Sequence, residues 1–470
     1  MKQAEVFLSK AKDTNSYLAR DSVPKLLWRF SVPCVLSMLM SALYNIVDQV
    51  FIGHGVGYLG NAATNVVYPF TVLALALALA VGDGCGSLLS ISLGRGDGEC
   101  AHKSIGNGIV LVAVVAFFLT TVGFVWEDFV LRIFGVTSTC YGYAKEYLDI
   151  ILVGLPFYMF ATALNGAIRA DGSPGYSMIS MMVGAVINLI LDPVAIFVLD
   201  LGVSGAAWAT VIGQFVSLCL SAAYFAKAKS FHLQARSFRL SCAVTKSIVQ
   251  LGVSSFIIQI AIVLVMAVSN NLIVRFGPRS VYGADIILSV IGIVMKVFGI
   301  VIAFSVGIAV GGQPIAGYNY GAKNYSRVFE VYRAIIIANV VVGVIATVIF
   351  EFFPLGIIRL FGSESELYNR YALLCFRIFL GGISLTCIQK ASSIFLQAIG
   401  RPLKSTLISL SRDVLFFIPA LLILTPLFGV TAMLWAAPAA DLLSLLVTVL
   451  LVLSEFRAIK MSADSMAEEE

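Results

Sequence analysis

Two carboxylates lie inside strongly apolar stretches of the chain, where an ionised side chain is costly unless it is paired or solvated. Asp48 stands within ALYNIVDQVFIG (42–53), and Asp192 stands within NLILDP (188–193), four residues after Asn188. A spacing of four residues places Asn188 and Asp192 on the same face of a helix. Two carboxylates beside an amide could share a proton, or could bind a small hard cation such as Na⁺. These residues therefore predict an ion site.

Pro193 directly follows Asp192 and removes an N–H from the helix, which leaves the carbonyl oxygen of Leu189 free to kink the helix or accept a ligand. A third acid, Asp83, lies near the inner end of another apolar run. The alternative interpretation is that each acid only reaches outward to the membrane surface or is hydrogen-bonded by a neighbouring amide.

The elements that carry these residues are too apolar for a water-soluble protein. Of the 470 residues, 59% are hydrophobic and 12% are charged, and the mean hydropathy is +0.96. Apolar runs of roughly 20 residues can cross a bilayer as helices and are longer than the strands of a membrane barrel. We therefore predict an all-α integral membrane fold of twelve transmembrane helices. The predicted spans are residues 30–52, 62–92, 103–125, 143–165, 176–198, 203–226, 247–273, 283–312, 334–353, 371–396, 403–426 and 430–455.

Lys and Arg residues are concentrated in the segments that lie on one side of the predicted membrane. Because basic loops are retained in the cytoplasm, we predict a multi-pass protein of the cell (inner or plasma) membrane with both termini cytoplasmic. In this topology spans 1 and 5 run outward and span 6 returns. Asp48, Asp192 and Thr210 then lie at a similar depth, roughly 7–10 Å below the outer surface at about 1.5 Å per helical residue. Together with Asn188 they are predicted to converge on one site.

The two halves of the sequence repeat each other. A shift of 227 positions aligns LRIFG (131–135) with IRLFG (358–362), and GVSGAAWAT (202–210) with GVTAMLWAA (429–437). Each half contains six predicted spans, so the two lobes are parallel repeats around a central cavity, as in many transporters. The predicted organisation is a cytoplasmic N-terminal tail (1–25), an N-terminal six-helix lobe (26–226), a cytoplasmic linker (227–246), a C-terminal six-helix lobe (247–456) and a cytoplasmic C-terminal tail (457–470).

The spans of the C-terminal half carry different polar residues. Lys296 lies in span 8, Lys390 in span 10, and the neighbouring Arg412 and Asp413 in span 11. The two lysines are possible contacts for acidic groups of a substrate, and structural cations that face the cavity are the alternative. Span 7 offers only Gln259, a further possible substrate contact, where a second coupling acid could lie. The predicted ion site is therefore confined to the N-terminal lobe.

Sequence motifs of enzymes and metal centres are missing. The eight cysteines include no C-x-x-C pair, the three histidines are isolated, and there is no G-x-S-x-G motif and no P-loop. We expect no enzymatic activity, no cofactor and no metal beyond transient Na⁺ at Asp48, Asn188 and Asp192. The net charge of +5 reflects basic loops rather than nucleic-acid binding. The expected partners are small organic substrates, H⁺ or Na⁺ and the lipid bilayer, and we expect a monomer.

Several segments resemble the multidrug and toxic compound extrusion (MATE) family, and within it the DinF-like and MepA-like bacterial branch. The resemblance covers nearly the whole chain, and the order and spacing of the segments are more specific than any one of them. The segments are VPCVLSMLMSALYNIVDQVFIGHGVGYLGNAA (32–63), GSLLSISLGRGDGECAHK (86–103), AIRADGSPGYSM (167–178), INLILDP (187–193), GVSGAAWAT (202–210) and GGQPIAGYNYGAKNYSRV (311–328).

The resemblance implies a secondary multidrug efflux antiporter that exports organic cationic or amphipathic compounds in exchange for H⁺ or Na⁺ by alternating access. The ion site of the DinF-like branch matches the four residues that the topology already brings together. A proline associated with bending of span 1 matches Pro33, and members of a supporting polar network match Tyr44, Tyr147 and Asn165. The NorM branch has an acid where this chain has Gln259, which argues against a NorM-like cation site in the C-terminal lobe.

Two rival functions remain open at this point. A flippase for a lipid-linked precursor would need an arginine-rich cavity for a pyrophosphate, whereas the N-terminal lobe is expected to offer acids and no buried arginine. An exporter of an acidic metabolite would likewise need cations. Lys296 and Lys390 keep both alternatives open.

Overall fold

The computed structural model describes residues 16–226, 228–229, 234–361 and 366–469. Residues 1–15 of the predicted N-terminal tail, residues 227 and 230–233 of the predicted linker, and Glu470 lie outside the described residues. Across the described ranges the chain is helical and has no strand. Eleven of these helices are long and apolar enough to cross a membrane, and one bent pair supplies a twelfth span. The predicted all-α membrane fold is confirmed.

The N-terminal half contains six spanning helices and two short ones. The fifth span begins with Pro174 in its first turn and changes to a π-helical turn after Pro193, which has no N–H to donate to the preceding turn. The helices are α1 (Tyr17–Arg20), α2 (Val23–Gly55), α3 (Tyr58–Arg95), α4 (Gly98–Val125), α5 (Glu127–Ile133), α6 (Tyr141–Ala170), α7 (Pro174–Pro193, continued by the π segment Val194–Val198) and α8 (Gly202–Phe225).

The C-terminal half repeats this order with two further π-helical segments. Its helices are α9 (Cys242–Phe276), α10 (Gly283–Gly321), α11 (Tyr325–Phe352), α12 (Pro354–Phe361), α13 (Glu366–Leu374, continued by Cys375–Phe379), α14 (Ile383–Ala398), α15 (Pro402–Leu410, continued by Ser411–Phe417), α16 (Ile418–Phe428) and α17 (Ala436–Glu469). The bent pair consists of Glu366–Phe379 and Ile383–Ala398, which meet at 47°. Short 3₁₀ turns at Ala235–Phe238, Gly277–Arg279 and Ala432–Trp435 join the longer helices.

Four apolar clusters hold the described helices together. Two lie inside the N-terminal lobe and one inside the C-terminal lobe, and the fourth joins the lobes through side chains such as Phe30 of α2, Leu89 of α3, Ile315 of α10 and Phe395 of α14. We call the side of the membrane where α2 begins and α17 ends the terminal side. The joining cluster lies in the terminal half of these helices, so the lobes are closed against each other there.

Glycines allow the backbones of the two lobes to touch on the terminal side. A Cβ atom at Gly252 of α9 would collide with the carbonyl oxygen of Ala80 in α3, and one at Gly84 of α3 would collide with the carbonyl oxygen of Ile248. Small residues allow the backbones of membrane helices to approach this closely, and such close packing favours association of the helices in lipid. The seam between α3 and α9 therefore has no room for a side chain at these two positions.

Candidate ion and substrate site

A central cavity of about 420 Å³ lies between the lobes. Helices α2, α3 and α6–α8 line it from the N-terminal half, and α9, α10, α14 and the π segment after α15 line it from the C-terminal half. Because the joining cluster closes the terminal side, the cavity lies toward the opposite side of the membrane. Most of the exposed area of its wall is apolar, although about half of the lining residues carry polar side chains, and such a mixed lining suits organic ligands that also have polar groups.

The structure brings Asp48, Asn188, Asp192 and Thr210 together at the edge of this cavity. The Asn188 Nδ2 atom donates to Asp192 Oδ1 at 3.1 Å and lies 3.3 Å from Thr210 Oγ1. The side chains of Asp48 and Asp192 contact each other directly. Asp192 is fully buried and Asp48 is half-buried. We call these four residues the ion cluster.

Three oxygens of the ion cluster are buried and have no hydrogen-bond partner among the described residues. They are Asp48 Oδ1, Asn188 Oδ1 and Asp192 Oδ2. An unsatisfied buried acceptor is uncommon, and each one destabilises a fold by about 1–3 kcal/mol. A proton shared between the carboxylates, or a cation coordinated by these oxygens, would satisfy them. The donor atoms of the cluster are carboxylate, amide and hydroxyl oxygens. The described residues contain no group of three His, Cys, Asp or Glu side chains that could hold a metal ion.

The buried face of α7 explains how this cluster is held. Its buried residues recur at helical spacing and include two serines, one glycine, Asn188 and Asp192. Near the middle of this face, Gly184 packs directly on the backbone of Gly213 in α8, which brings Asn188 within reach of Thr210. The sequence interpretation used only the last two positions of this face.

The remaining residues named from the family resemblance occupy different places. Tyr44 lies one turn before Asp48 on α2 and lines the cavity, and Tyr147 is buried on α6 in the neighbourhood of both acids. Pro33 is inside α2, where its carbonyl oxygen accepts a hydrogen bond from Ser37 Oγ at 2.9 Å. Tyr44 and Tyr147 thus lie near the ion cluster, and Pro33 lies on the same helix as Asp48.

Asn165 belongs to a separate hydroxyl cluster nearer the terminal side. Its Oδ1 atom accepts hydrogen bonds from Ser177 Oγ at 2.7 Å and from Ser180 Oγ at 3.1 Å, and its Nδ2 atom donates to the carbonyl oxygen of Ala161 at 2.7 Å. Asn165 and Ser177 both line the cavity. The structure does not place Asn165 in contact with the two acids.

A polar contact crosses between the lobes at the terminal end of the cavity. Asp83 pairs with Arg169 at 3.1 Å and accepts a hydrogen bond from Ser255 Oγ of the other lobe at 2.8 Å. Gln397 Nε2 donates to Ser255 Oγ at 3.0 Å. We call these four residues the latch. The expectation of an N-terminal lobe without a buried arginine is wrong, because Arg169 lines the cavity and its side chain is only 13% exposed.

The C-terminal lobe contains a buried charge network on three helices. Lys390 Nζ lies 2.8 Å from Asp413 Oδ2, and Arg412 lies 2.7 Å from both Asp413 Oδ1 and Asp441 Oδ1. Thr386 Oγ1 also donates to Asp441 Oδ1 at 2.9 Å. Sequence reasoning named three of these charges but missed Asp441, whose only signal is an acid within the apolar run of the last span.

The three possible substrate contacts of this lobe are placed differently. Gln259 and Lys390 line the cavity. Lys296 is exposed and is not among the residues that line the cavity. Of the two lysines, only Lys390 is in a position to contact a molecule in the cavity.

This two-lobed helical fold around a central cavity, with acids at its edge, defines a multi-pass membrane transporter. Residues 33–194 and 255–423 match the family model MatE, so the chain belongs to the MatE family of multidrug efflux transporters. These transporters are not enzymes, and the resemblance read from the sequence is thereby confirmed.

The chain is similar to the multidrug export protein MepA of Staphylococcus haemolyticus (strain JCSC1435), with 24% identity over 459 residues that cover 97% of this chain and 98% of that protein. Two solved structures share the fold, each at 22% identity and covering 95% of this chain and 99% of the other. They are a crystal structure of MATE in complex with MaL6, with a TM-score of 0.88, and an outward-facing multidrug resistance MATE family transporter of the MOP superfamily, with a TM-score of 0.87.

Proposed function

We propose that the protein is a secondary antiporter that exports organic cationic or amphipathic compounds in exchange for H⁺ or Na⁺. The observation that carries this proposal is the ion cluster, in which three buried oxygens have no hydrogen-bond partner within the described ranges, at the edge of a cavity large enough for a drug-sized molecule. The names of the MepA relatives, which are multidrug export proteins, support the export of drug-like compounds.

In this mechanism the bound ion changes the affinity of the cavity for the substrate, although a wall of side chains separates the two. Asn188 and Thr210 line the cavity, whereas Asp48 and Asp192 lie behind them. Two adjacent carboxylates repel each other when both are charged, and this raises their affinity for a proton or for Na⁺. Loading the cluster neutralises it and weakens its attraction for a cationic substrate. Bending of α2 about Pro33 then transmits the change to the cavity and releases the substrate.

We assign both termini to the cytoplasm, on the basis of the basic terminal-side segments, so that the cavity of this structure faces outward. The terminal side is closed, so under this assignment the cavity opens away from the cytoplasm. The lobes are proposed as residues 26–226 and 247–456, between tails at 1–25 and 457–470 and a linker at 227–246. The transporter is proposed to work as a monomer within the bilayer and to bind no nucleic acid.

A second candidate function is export of an acidic compound, or flipping of a lipid-linked precursor. Three cations line the cavity: Arg169, Lys390 and Arg412. Each is paired with a carboxylate, whereas the ion cluster has two acids and forms no ion pair with any cation in the part of the chain that the structure describes. The uncompensated charge at the cavity is therefore negative, which favours a cationic substrate.

Transport by purified protein in liposomes tests the proposal. Ethidium serves as the organic cation, and a pH gradient and a Na⁺ gradient are imposed in separate experiments. Asp48→Asn and Asp192→Asn should each abolish gradient-driven ethidium movement while the protein keeps its fold. The matched control is Asp200→Asn, since Asp200 is exposed and has a φ of 50°, a conformation that asparagine tolerates. Wild-type rates in Asp48→Asn, under the gradient that drives the wild type, would refute the proposal.

A further inference from the structure

The charge network of the C-terminal lobe lies at the cavity surface. Lys390, Arg412 and Asp413 all line the cavity, although the Lys390 and Arg412 side chains are only 6% and 9% exposed. Asp441, which holds Arg412 from behind, does not line it. The two cations are thus fixed by acids and remain in contact with the space where a substrate would bind.

Both cations keep hydrogen-bond donors that the network does not use. A lysine ammonium has three donors and an arginine guanidinium has five. Within the described part of the chain, Lys390 makes one hydrogen bond, to Asp413, and Arg412 makes two, to Asp413 and Asp441. Each oxygen of Asp413 is taken by one of the two cations. The spare donors are therefore available to an acceptor group in the cavity.

The local backbone and an aromatic neighbour also favour binding over a purely structural role. Arg412 and Asp413 lie in the π-helical segment Ser411–Phe417, and such segments occur frequently at functional sites. The Arg412 guanidinium lies 5.7 Å from the ring centroid of Phe298, which lines the cavity beside it. The flat apolar ring of Phe298, next to the donors of Lys390 and Arg412, would pack against the aromatic part of an amphipathic ligand.

We propose that Lys390 and Arg412 form a subsite for a carboxylate group of an amphipathic substrate. A carboxylate accepts charge-assisted hydrogen bonds from ammonium and guanidinium groups, which are stronger than neutral ones. Because the network has equal numbers of positive and negative charges, an added carboxylate is best balanced by a cationic centre on the same molecule. This rests on the proposed function, in which a cation is attracted to the ion cluster on the opposite wall. The substrate class is therefore a zwitterionic amphiphile.

A pair of dyes that differ in one group tests this subsite. Rhodamine 110 carries a free carboxylate, and rhodamine 123 is its methyl ester on the same cationic ring system. Binding of each dye to the purified full-length protein in detergent is measured by fluorescence anisotropy. We expect Lys390→Gln to weaken rhodamine 110 binding about tenfold and to change rhodamine 123 binding less than about twofold, since only the first dye loses a charge-assisted hydrogen bond.

Two further variants decide the interpretation. Lys390→Arg keeps the positive charge and the donors, and it should retain most of the rhodamine 110 affinity. Lys296→Gln is the matched control, because the structure places this lysine of the same lobe outside the cavity lining. Equal losses for both dyes in Lys390→Gln, or the same selective loss in Lys296→Gln, would overturn the subsite. Should Lys390→Gln not fold, the folded Lys390→Arg variant decides instead. A selective loss of rhodamine 110 affinity in Lys390→Arg, with rhodamine 123 affinity unchanged, would then overturn the subsite.

The carboxylate subsite and the ion-coupled transport mechanism can be refuted by separate experiments. The dye selectivity of Lys390→Gln is an equilibrium measurement without a gradient and does not depend on ion coupling. A selective loss of rhodamine 110 together with wild-type transport in Asp48→Asn would retain the subsite and reject the coupling mechanism. The converse pair of results would retain the coupling and reject the subsite.

Discussion

Removing one hydroxyl from the latch should open the terminal side of the transporter. Ser255 of the C-terminal lobe donates to the Asp83 carboxylate of the N-terminal lobe at 2.8 Å and accepts from Gln397 at 3.0 Å. Ser255→Ala leaves an oxygen of a buried carboxylate without this partner, which costs about 2 kcal/mol. This shifts the equilibrium away from the closed terminal side by about thirtyfold. The pair between Asp83 and Arg169 lies within one lobe and does not compensate.

Hydrogen exchange followed by mass spectrometry measures this shift in the otherwise unmodified protein. Backbone amides in the terminal halves of α3 and α9 should exchange faster in Ser255→Ala than in the wild type, because these helices cover each other when the lobes are closed. The matched control is Ser247→Ala on the same helix, since Ser247 is half-buried and, among the described residues, its hydroxyl donates only to the carbonyl oxygen of Ala243, at 3.0 Å within its own helix. Equal exchange in the two variants would refute the assignment of the latch.

Two further substitutions test the packing and the charge network. Gly252→Ala should prevent closure of the terminal side and abolish transport, because a Cβ atom there would collide with the Ala80 carbonyl oxygen. Gly175→Ala is the control and should leave transport unchanged, because a Cβ atom at Gly175 would meet nothing within 4 Å. Asp441→Asn removes the carboxylate that holds Arg412 and should destabilise the protein by roughly 3–5 kcal/mol, seen as a lower melting temperature in detergent. Unchanged stability in Asp441→Asn, relative to the exposed Asp200→Asn, would contradict the structural role of that pair.

The spans and much of the ion cluster were predictable from sequence, because each depended on a local period or on a depth along a helix. Asn188 and Asp192 share a helix face by their spacing alone, and counting residues from the membrane surface placed Asp48 and Thr210 at the same level. The surroundings of Asn165 could not be predicted in this way. Its position along α6 does not show which serines of the neighbouring helix α7 form hydrogen bonds with it.

The charged residues outside the ion cluster depended on packing that the sequence does not encode locally. Arg169 was assigned to a loop because the apolar run ends at residue 165, but α6 continues to Ala170 and carries the side chain to the cavity. Lys296 lies in α10, which is apolar on nearly all faces, so no pattern distinguishes the side toward the cavity from the side toward lipid. Lys390 lies in α14, where every residue from Gln389 to Ala398 is buried and polar residues occur on several faces, so polarity does not show which face lines the cavity. Only the packing of the helices does so.

The position of Asp48 and Asp192 behind the cavity wall has a consequence for how this transporter can evolve. The two carboxylates proposed to take up the ion do not line the cavity, and they are joined to its wall through Asn188 and Thr210. Substitutions in the apolar part of the wall can then alter the range of compounds without changing the source of energy. A cell exposed to a new toxic compound could gain resistance by single mutations in the lining, while the coupling carboxylates are inherited unchanged.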